Sequence, residues 1–278
     1  MTRREPLHDA RWTRLGGDAH VSRWRVDDGS TRYFVKVGAI DKTDALDAEA
    51  EALRTIADTS TIRVPRVVLF EATANRAVLV LEWLDLGGEG RDGALGRVLA
   101  KLHDVTATRF GWHRDNAIGA NPQFNAWADD WAAFFRDRRL RPQLELAGRN
   151  GYAPIVSNGA ALLAAVPRIL EGHRPAASLL HGDLWSGNAG ALIDGTPVIF
   201  DPSSYYGDAE TDVAMSELFG GFTPAFYAEY RKARPFAFGH EKRRTLYNLY
   251  HVLNHLNLFG ASYLTQAQRM VSQLASGR

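Results

Sequence analysis

The segments His181-Gly182-Asp183-Leu184-Trp185-Ser186-Gly187-Asn188 and Val198-Ile199-Phe200-Asp201 decide the fold of this chain. Asp183 precedes Asn188 by five positions, and Asp201 ends an apolar stretch that is typical of a buried strand. A carboxylate can accept the proton of an attacking hydroxyl group, and carboxylate and amide oxygens are ligands that Mg²⁺ prefers. The spacing therefore predicts a site for phosphoryl transfer, with Asp183 as the catalytic residue and Asn188 and Asp201 as metal ligands.

This arrangement is that of a kinase catalytic loop followed by its metal-binding aspartate. His181 occupies the position that braces the loop. Gly182 stands where many protein kinases carry an arginine, so we do not expect regulation through contact between that arginine and a phosphorylated residue. Pro202 follows Asp201 in place of Phe-Gly, so we do not expect a flip of this segment either.

The composition indicates a soluble, globular enzyme. The chain has 278 residues, of which 45% are hydrophobic and 23% charged, which suits one two-lobed domain or two small ones. Its net charge of +1 predicts no nucleic-acid partner. The N-terminus lacks the apolar core of a secretion signal and no apolar run is as long as a membrane span, so we expect a cytoplasmic protein with no membrane partner. The absence of cysteine excludes disulfides, thiolate metal ligands and a cysteine nucleophile.

The first third of the chain has the pattern of a small sheet with one helix. The segment 44–57 has helical spacing, with Leu46, Ala50, Leu53 and Ile56 on one face. A glycine turn is predicted at Gly16-Gly17, a hairpin turn at 27–30, and strands at 11–15, 19–26, 31–37, 64–69 and 77–86.

Two parts of this lobe predict contacts with nucleotide phosphates. Backbone amides at Gly16 and Gly17 would approach phosphate oxygens closely, although the pair also fits an ordinary hairpin turn. Lys36 in the third strand would bring a positive charge to the phosphates, although a single lysine in a strand is usually solvated.

Further residues of the lobe would complete the nucleotide site. Glu49 would orient Lys36 through an ion pair, and we prefer it to Glu51 because it shares a helix face with Leu53. At the end of the last strand, backbone groups from Glu82 to Leu84 would contact adenine.

The remainder of the chain is predicted to be mainly helical. The glycine-rich segment 85–93 is the predicted linker between an N-terminal nucleotide-binding lobe, 1–86, and a C-terminal catalytic and substrate-binding lobe, 87–278. His251 and His255 have zinc-ligand spacing, but Val252 replaces the glutamate of the hydrolase pattern, so we predict polar contacts with neighbouring elements there. A turn is predicted at 121–124, and helices at 95–103, 126–146, 160–170, 224–233 and 242–259.

The segment His181 to Asn188 resembles the catalytic loop of the aminoglycoside/choline kinase-like group. Over essentially the whole chain, the sequence is more similar to the fructosamine kinase family, also called ketosamine-3-kinases. The most specific blocks are Tyr205-Tyr206-Gly207-Asp208 and Glu217-Leu218-Phe219-Gly220-Gly221-Phe222. The resemblance also rests on Asn121-Pro122-Gln123, 129–135, 139–144, 180–188, 201–204, Glu210, Asp212, Met215, 249–251 and 254–260.

The resemblance implies an α+β, protein-kinase-like bilobal fold with a small antiparallel-sheet N-lobe and a mainly helical C-lobe. It implies ATP and Mg²⁺ as cofactors, with transfer of the γ-phosphate to the 3-hydroxyl of a ketosamine, the rearranged adduct of a sugar and an amine. The substrate would be a small or protein-bound ribulosamine, erythrulosamine or fructosamine, and elimination after phosphorylation would free the amine, which is a deglycation or repair role.

The resemblance also bears on oligomeric state. Some members of the family carry a cysteine in the glycine loop, but the stretch Leu15 to His20 has none, so a disulfide switch is excluded. A monomer or weak homodimer is expected.

Three residues are candidates for substrate contact. Trp185 could stack on a sugar or on the amine carrier, or could simply pack the loop. Asp208 and Glu210 could meet the substrate amine or its hydroxyl groups, or could cap the following helix. Asp212 is predicted to be structural.

Two other functions stay open on the residues. A small-molecule kinase for an aminoglycoside- or choline-type alcohol would share the loop but would not explain the Tyr-Tyr-Gly-Asp block. An inactive nucleotide-binding module is the second alternative, and the intact set of Lys36, Asp183, Asn188 and Asp201 argues against it.

Overall fold

An antiparallel sheet of five strands forms the N-terminal part of the protein in a computed structural model. Its strands are β1 (Arg11–Gly17), β2 (Val21–Asp27), β3 (Arg32–Ala39), β4 (Val67–Ala72) and β5 (Arg76–Glu82), in the spatial order β1-β2-β3-β5-β4. The structure describes residues 10–17, 20–88 and 91–276, and of Arg91 only the backbone. The N-terminal segment discussed above, the predicted strand start at Ala19 and Gly90 of the predicted linker lie outside the described residues.

One helix, α1 (Thr43–Asp58), covers a face of this sheet, as predicted. Leu46, Ala50, Leu53 and Ile56 are all buried on it, because a spacing of three or four residues places them on one side of the helix. They join the main hydrophobic core, whereas the other face of the sheet has a small separate core around Val35.

The predicted turn at the two glycines is wrong. Strand β1 continues through Gly16 and Gly17, which pair with Arg23 and Ser22 after a register shift at Arg14. Gly17 has a φ of +134°, and a β-carbon there would lie 2.5 Å from the carbonyl oxygen of Val21, so the close approach of the two strands requires glycine. The hairpin predicted at 27–30 is present, closed by backbone amides of Ser30 and Thr31 that donate to the Asp28 carboxylate.

The rest of the chain is mainly helical, which confirms the predicted α+β fold with a small antiparallel sheet first. Its α-helices are α2 (Arg91–His103), α3 (Trp131–Phe134), α4 (Arg141–Arg149), α5 (Ala153–Ser157), α6 (Gly159–Ile169), α7 (Glu210–Leu218), α8 (Pro224–Ala233), α9 (His240–Phe259) and α10 (Leu264–Ser276). Short strands are β6 (Thr106–Ala107), β7 (Asn116–Ile118), β8 (Asn121–Gln123), β9 (Ala177–Leu179), β10 (Ala189–Ala191), β11 (Pro197–Ile199) and β12 (Tyr206–Gly207). Within the described ranges, no helix has the length and apolarity needed to cross a membrane.

Two local predictions in this part are wrong. The predicted turn at 121–124 is largely strand β8, paired with β7. The predicted helix over 126–146 begins only at Trp131, because the Asp130 side chain accepts a hydrogen bond from the amide of Ala133 and caps the helix there. A π-helical turn, Phe135–Leu140, then separates α3 from α4.

Short β contacts join the sheet to the helical part. Arg63 bridges Val198 of β11, and Leu86 bridges Leu192 just after β10. These contacts set the hairpin that carries Asn188 and Asp201 against the sheet that carries Lys36. The division of the chain at residues 86 and 87 stays a prediction.

Candidate active site

A cavity of about 540 Å³ lies between the sheet with α1 and the helical part. The sheet side contributes residues of β2, β3 and α1, including Lys36 and Glu49. The opposite side contributes the catalytic loop, the β7–β8 turn and the end of α9. Predicted site residues that line the cavity are Lys36, Glu49, Asp183, Trp185, Asn188 and Asp201.

Lys36 connects the two sides of this cavity. Its Nζ lies 2.8 Å from both carboxylate oxygens of Glu49 and 2.9 Å from Oδ1 of Asp201. Burial alone would lower the pKa of Lys36, but the Asp201 and Glu49 carboxylates outweigh it and raise that pKa. Lys36 is therefore a fixed positive charge, and Glu51, the alternative partner, instead pairs with His113 and Arg114.

The catalytic loop is braced by His181 and by Asp212. The Asp183 amide donates to Nδ1 of His181 at 3.2 Å, so Nε2 carries the proton and donates to the carbonyl of Phe200 at 3.0 Å. Burial lowers the pKa of His181, which keeps this neutral tautomer. The Asp212 carboxylate accepts from the amides of His181 and Gly182 at 2.7 and 2.9 Å, so α7 holds the loop by its backbone.

Gly182 replaces the protein-kinase arginine for a steric reason. Its φ is +86°, and a β-carbon there would lie 2.1 Å from the carbonyl oxygen of Ser203. Asp201, only two residues from Ser203, has a φ of +58°, a left-handed conformation that is strained for a residue other than glycine. The catalytic loop at Gly182 and the segment from Asp201 to Ser203 therefore pass close to each other beside Asp183.

Asp183 and Asn188 are coupled directly. The Asn188 side-chain amide nitrogen donates to the backbone carbonyl of Asp183 at 3.0 Å and to its Oδ2 at 3.2 Å. These bonds use the nitrogen and leave the side-chain oxygen of Asn188 to act as a metal ligand. Burial raises the pKa of Asp183 to about 7, with further contributions from the carboxylates of Asp201 and Asp212. A bound divalent cation would offset this excess of negative charge, and the hard oxygen donors of Asn188 and Asp201 fit Mg²⁺.

The indole ring of Trp185 lies folded over its own loop. A β-carbon at Gly187 would fall 2.1 Å from the ring, so only glycine at that position lets the ring lie there. The side chain is nevertheless 39% exposed, and it lines the cavity. Both interpretations of Trp185, packing and contact with a ligand, are therefore compatible with its position.

Four residues predicted to bind the nucleotide do not line this cavity. Gly16 and Gly17 end β1 beside Val21, which does line it. The Glu82 carboxylate pairs with Arg63 and accepts from the amide of Arg66 at 3.0 Å. Leu84 lies two residues beyond the end of β5. The roles of Gly16, Gly17, Glu82 and Leu84 in nucleotide binding stay predictions.

Asp208 and Glu210 lie apart from Asp183, in a separate pocket of about 140 Å³. The Asp208 carboxylate contacts Nε2 of His173 and the Tyr247 hydroxyl, both at 2.6 Å, and accepts from the amide of Glu210. Glu210 binds the Arg243 guanidinium through both oxygens, at 2.7 and 2.8 Å. These contacts support the alternative, in which the two acids fix the start of α7, and substrate contact by Asp208 and Glu210 stays a prediction.

The cavity wall contains residues that the sequence analysis did not select. Asn254, His255, Leu258 and Phe259, at the end of α9, line the cavity opposite the sheet. Asn254 also bonds Asn121 and Gln143, as predicted for polar residues that tie this helix to its neighbours. Residues 254, 255, 258 and 259 are one, three or four positions apart, so they lie on one face of the helix. The sequence alone does not show that this face lines the same cavity as Asp183.

Comparison with known proteins identifies the family to which this chain is similar. The fructosamine kinase family model matches residues 4–276. The "probable ketoamine kinase" of Synechocystis sp. is 47% identical over 249 residues, covering 88% of this chain and 84% of the relative. The chloroplastic protein-ribulosamine 3-kinase of Arabidopsis thaliana is 40% identical, covering 90% of this chain and 78% of the relative.

Solved structures confirm the protein-kinase-like fold. One from Haemophilus somnus 129PT, provisionally named fructosamine-3-kinase, superposes with a TM-score of 0.89 at 28% identity, covering 95% of this chain and 90% of that one. A thermostable aminoglycoside phosphotransferase, in a ternary complex with AMP-PNP and hygromycin B, gives a TM-score of 0.66 at 13% identity, covering 98% and 96%, which shows a shared fold alone. With a family model that spans nearly its whole length and a cavity that joins Lys36 to the catalytic loop, this chain belongs to the fructosamine kinase family.

Proposed function

We propose that the protein transfers the γ-phosphate of ATP to the 3-hydroxyl group of a ketosamine, with Asp183 as the catalytic residue. The observation that carries this proposal is the cavity in which Asp183 and Asn188 lie beside the Lys36–Asp201 pair, in a chain of the fructosamine kinase family. A ribulosamine is the preferred acceptor, a choice supported by the names of the ketoamine kinase and ribulosamine 3-kinase relatives.

The transfer requires a base, a charge clamp and a fixed geometry. The oxygen of the acceptor hydroxyl bonds to the γ-phosphorus, and Asp183 receives the proton of that hydroxyl. The bond between the γ-phosphorus and the oxygen that bridges it to the β-phosphate breaks, so ADP leaves with that oxygen. Lys36, held by Glu49, neutralises phosphate charge on the ATP side. Asn188 and Asp201 would hold Mg²⁺, which supplies further neutralisation of phosphate charge when it is bound.

Further contacts complete the proposal. Backbone groups from Glu82 to Leu84 bind adenine, amides near Gly16 and Gly17 approach the phosphates, and Trp185 contacts the acceptor. The protein acts in the cytoplasm on a small or protein-bound ketosamine, as a monomer or weak homodimer, with the lobes divided at residues 86 and 87. Phosphorylation at the third carbon makes the adduct prone to elimination, which releases the amine.

A panel of acceptors tests this function. Purified protein with Mg²⁺ and ATP should release ADP in the presence of erythrulosyl-, ribulosyl- or fructosyl-lysine, and ribulosyl-lysine should give the highest kcat/KM. Robust phosphorylation of an aminoglycoside or of choline without any ketosamine turnover would replace the proposal with the alternative small-molecule kinase. Binding of ATP without phosphorylation of any alcohol would favour an inactive module.

A further inference from the structure

Arg23 of β2 lies directly beside Lys36 at the wall of the catalytic cavity. The two residues are opposite each other in the antiparallel pairing of β2 with β3, so their side chains project from the same face of the sheet. The neighbouring pair, Trp24 and Val35, projects from the other face, which has the small separate core. Arg23 and Lys36 both line the cavity. The sheet therefore presents two cations side by side to the cavity that also holds Asp183.

Strand β1 leaves the side chain of Arg23 uncovered. The residue opposite Arg23 on that strand is Gly16, which has no side chain to pack over the guanidinium group. A β-carbon added at Gly16 would meet no described atom within 4 Å apart from those of its chain neighbours. Arg23 is accordingly exposed, whereas Lys36 is buried. The guanidinium group of Arg23 is therefore open to a ligand that enters the cavity.

The two lysines of the cavity wall already have carboxylate partners. Lys36 is bound to two carboxylates, as described above, and Nζ of Lys42 lies 3.1 Å from the Asp41 carboxylate. Among the described residues, none accepts a hydrogen bond from Arg23 or forms a direct ion pair with it. Arg23 is therefore the permanently charged side chain of the described lining whose hydrogen-bond donors are left for a ligand.

The charge of Arg23 reaches the predicted metal ligand Asp201. Burial alone would raise the pKa of Asp201, but the charge and hydrogen bond of Lys36, followed by the charge of Arg23, lower that pKa. Burial also raises the pKa of Glu49, and the charge of Arg23 opposes that rise after the larger effect of Lys36. A metal ion held by such an aspartate bridges oxygens of the β- and γ-phosphates. Arg23 therefore lies on the side of the cavity that would receive the end of the triphosphate.

A phosphate group has the chemistry that this guanidinium group would bind. Arginine presents its N–H groups in a planar fork that donates two parallel hydrogen bonds to oxygens of one phosphate. Negative charge spreads over the outer oxygens of the γ-phosphoryl group during transfer, so a cation aimed at them stabilises the transition state more than bound ATP. The ammonium group of a ketosamine, in contrast, would be repelled by Arg23.

On the basis of the proposed function, we infer that Arg23 binds the γ-phosphate of ATP and stabilises the charge on that group while it is transferred. Arg23 donates hydrogen bonds to the γ-phosphate oxygens that do not bridge to the β-phosphate, and it neither forms nor breaks a covalent bond. Lys36, fixed between its two carboxylates, neutralises charge on the rest of the triphosphate. Arg23 is thus a catalytic residue supplied by strand β2, because it touches the transferred group.

Two measurements on Arg23→Gln test this inference. The first compares the affinities for ATP and ADP, with Mg²⁺ and without acceptor, because only ATP has the γ-phosphate. ATP binding should weaken about 5- to 20-fold, as for loss of a charged hydrogen bond at an exposed site, and ADP binding should change by less than about twofold. The second is steady-state kinetics with ribulosyl-lysine, in which kcat should fall about 10- to 100-fold, as for a donor not fully shielded from water. Arg23→Lys, which keeps the charge but not the planar fork, should recover part of the lost kcat.

Arg14→Gln is the matched control, because Arg14 is an exposed arginine of β1 that pairs with Trp24 and does not line the cavity. It should change neither nucleotide affinity nor kcat, and thermal unfolding should show that all three variants fold. Equal weakening of ATP and ADP binding by Arg23→Gln, or wild-type ATP affinity together with wild-type kcat, would overturn the inference while leaving the kinase function intact. The nucleotide comparison needs no acceptor, so it tests Arg23 separately from the identity of the acceptor. Failure of the wild type to bind ATP would overturn the proposed function and the inference with it.

Discussion

Asp183 is held by neighbours on both sides of the catalytic loop. Its amide donates to His181 and its carboxylate accepts from Asn188, so the side chain has little freedom to leave the cavity. The bond to the carboxylate and a second bond to the backbone carbonyl of Asp183 orient the side-chain amide of Asn188. Position, more than the pKa of the carboxyl group, is the property that a loose phosphoryl-transfer transition state demands.

Asp183→Asn should abolish most of the turnover. An amide cannot accept the proton of the acceptor hydroxyl, so kcat should fall by about 10²- to 10⁴-fold, while the affinity for ATP stays within a few-fold. Steady-state kinetics with ribulosyl-lysine and a nucleotide-binding titration check both parts. Asp194→Asn is the matched control, because Asp194 lies in the exposed turn between β10 and β11. A variant that keeps more than half of the wild-type kcat would remove Asp183 from the reaction.

Spacing along the chain was enough to select three residues that line the cavity, Asp183, Asn188 and Asp201, but it did not identify the other walls of that cavity. Asp183, Asn188 and Asp201 could be selected because the loop and the following strand fix their separation locally. The buried partners of Asp208 and Glu210 could not be identified from the sequence, since Tyr247 and Arg243 come from a helix much later in the chain.

Helix α7 holds the catalytic loop through the carboxylate of Asp212. Burial would raise the pKa of Asp212, but its hydrogen bond with His103 and the amides of the loop lower that pKa. The predicted structural role of Asp212 is therefore also a positioning role: its carboxylate binds two consecutive loop amides. The sequence alone could not show that Asp212 binds the loop, because only the fold brings residue 212 close to residues 181 and 182.

Asp212→Asn should weaken both folding and turnover. One carboxylate oxygen would become a donor facing a backbone amide, which should cost about 1–3 kcal/mol of the free energy of unfolding. We expect kcat to fall with little change in the affinity for ATP, because the loop loses its support but the Lys36 side stays intact. Denaturant unfolding and kinetics on the same preparation measure the two effects. Unchanged stability together with unchanged kcat would contradict the bracing role.

The catalytic-loop turn that carries Trp185 makes a second prediction at this scale. Gly187→Ala should push the indole ring away, because the added methyl group would overlap it. The KM for ribulosyl-lysine should rise while ATP binding is retained. Gly93→Ala is the control, since a β-carbon there would meet no described atom closer than 3.5 Å. Wild-type kinetics in Gly187→Ala would mean that the position of Trp185 does not matter for the acceptor.

Other elements show where sequence patterns fail. The aromatic spacing over 126–146 predicted one helix, but Asp130 acts as a cap and a π-helical turn interrupts the run. The glycine pair at 16 and 17 looked like a turn, whereas both residues are paired in β1. In each case a local conformational preference was overridden by pairing or capping that periodicity does not report.

For the whole molecule, the buried ion pair between Glu210 and Arg243 predicts sensitivity to acid. Burial alone would raise the pKa of Glu210, but the two bonds from Arg243 and the nearby His240 ring, 3.3 Å away, lower that pKa to about 2. The unfolded value is about 4.3, so ionised Glu210 stabilises the fold above that pH. This contribution is lost as the pH falls from about 4.3 through about 2.

Thermal unfolding as a function of pH checks this behaviour. The wild-type Tm should drop steeply below about pH 4.3, whereas Glu210→Gln should be less stable at pH 7 and should lose less of its remaining stability in the acid range. Glu241→Gln is the control, because the ion pair of Glu241 with Arg244 lies on the exposed start of α9. Parallel pH profiles for wild type and Glu210→Gln would assign the acid sensitivity to other groups.

Over the whole chain, hydrophobic periodicity predicted the class of fold, because strand patterns with one helix come first and helical patterns fill most of the remainder. Its function followed from blocks after Asp201 that resemble a family, and the match over residues 4–276 confirms that family. The shape of the cavity between the two parts could not be predicted. It depends on contacts such as that of Lys36 with Asp201, two residues that are 165 positions apart in the sequence (201 − 36).

Identification of the product tests the central claim most directly. Ribulosyl-lysine should be incubated with the protein, Mg²⁺ and ATP, and the product analysed by phosphorus–proton correlation in NMR. The account predicts one phosphate ester on the third carbon of the sugar, followed by release of free lysine, and neither product with Asp183→Asn. A phosphate ester on another carbon, or ATP consumption without any ester on the sugar, would contradict it.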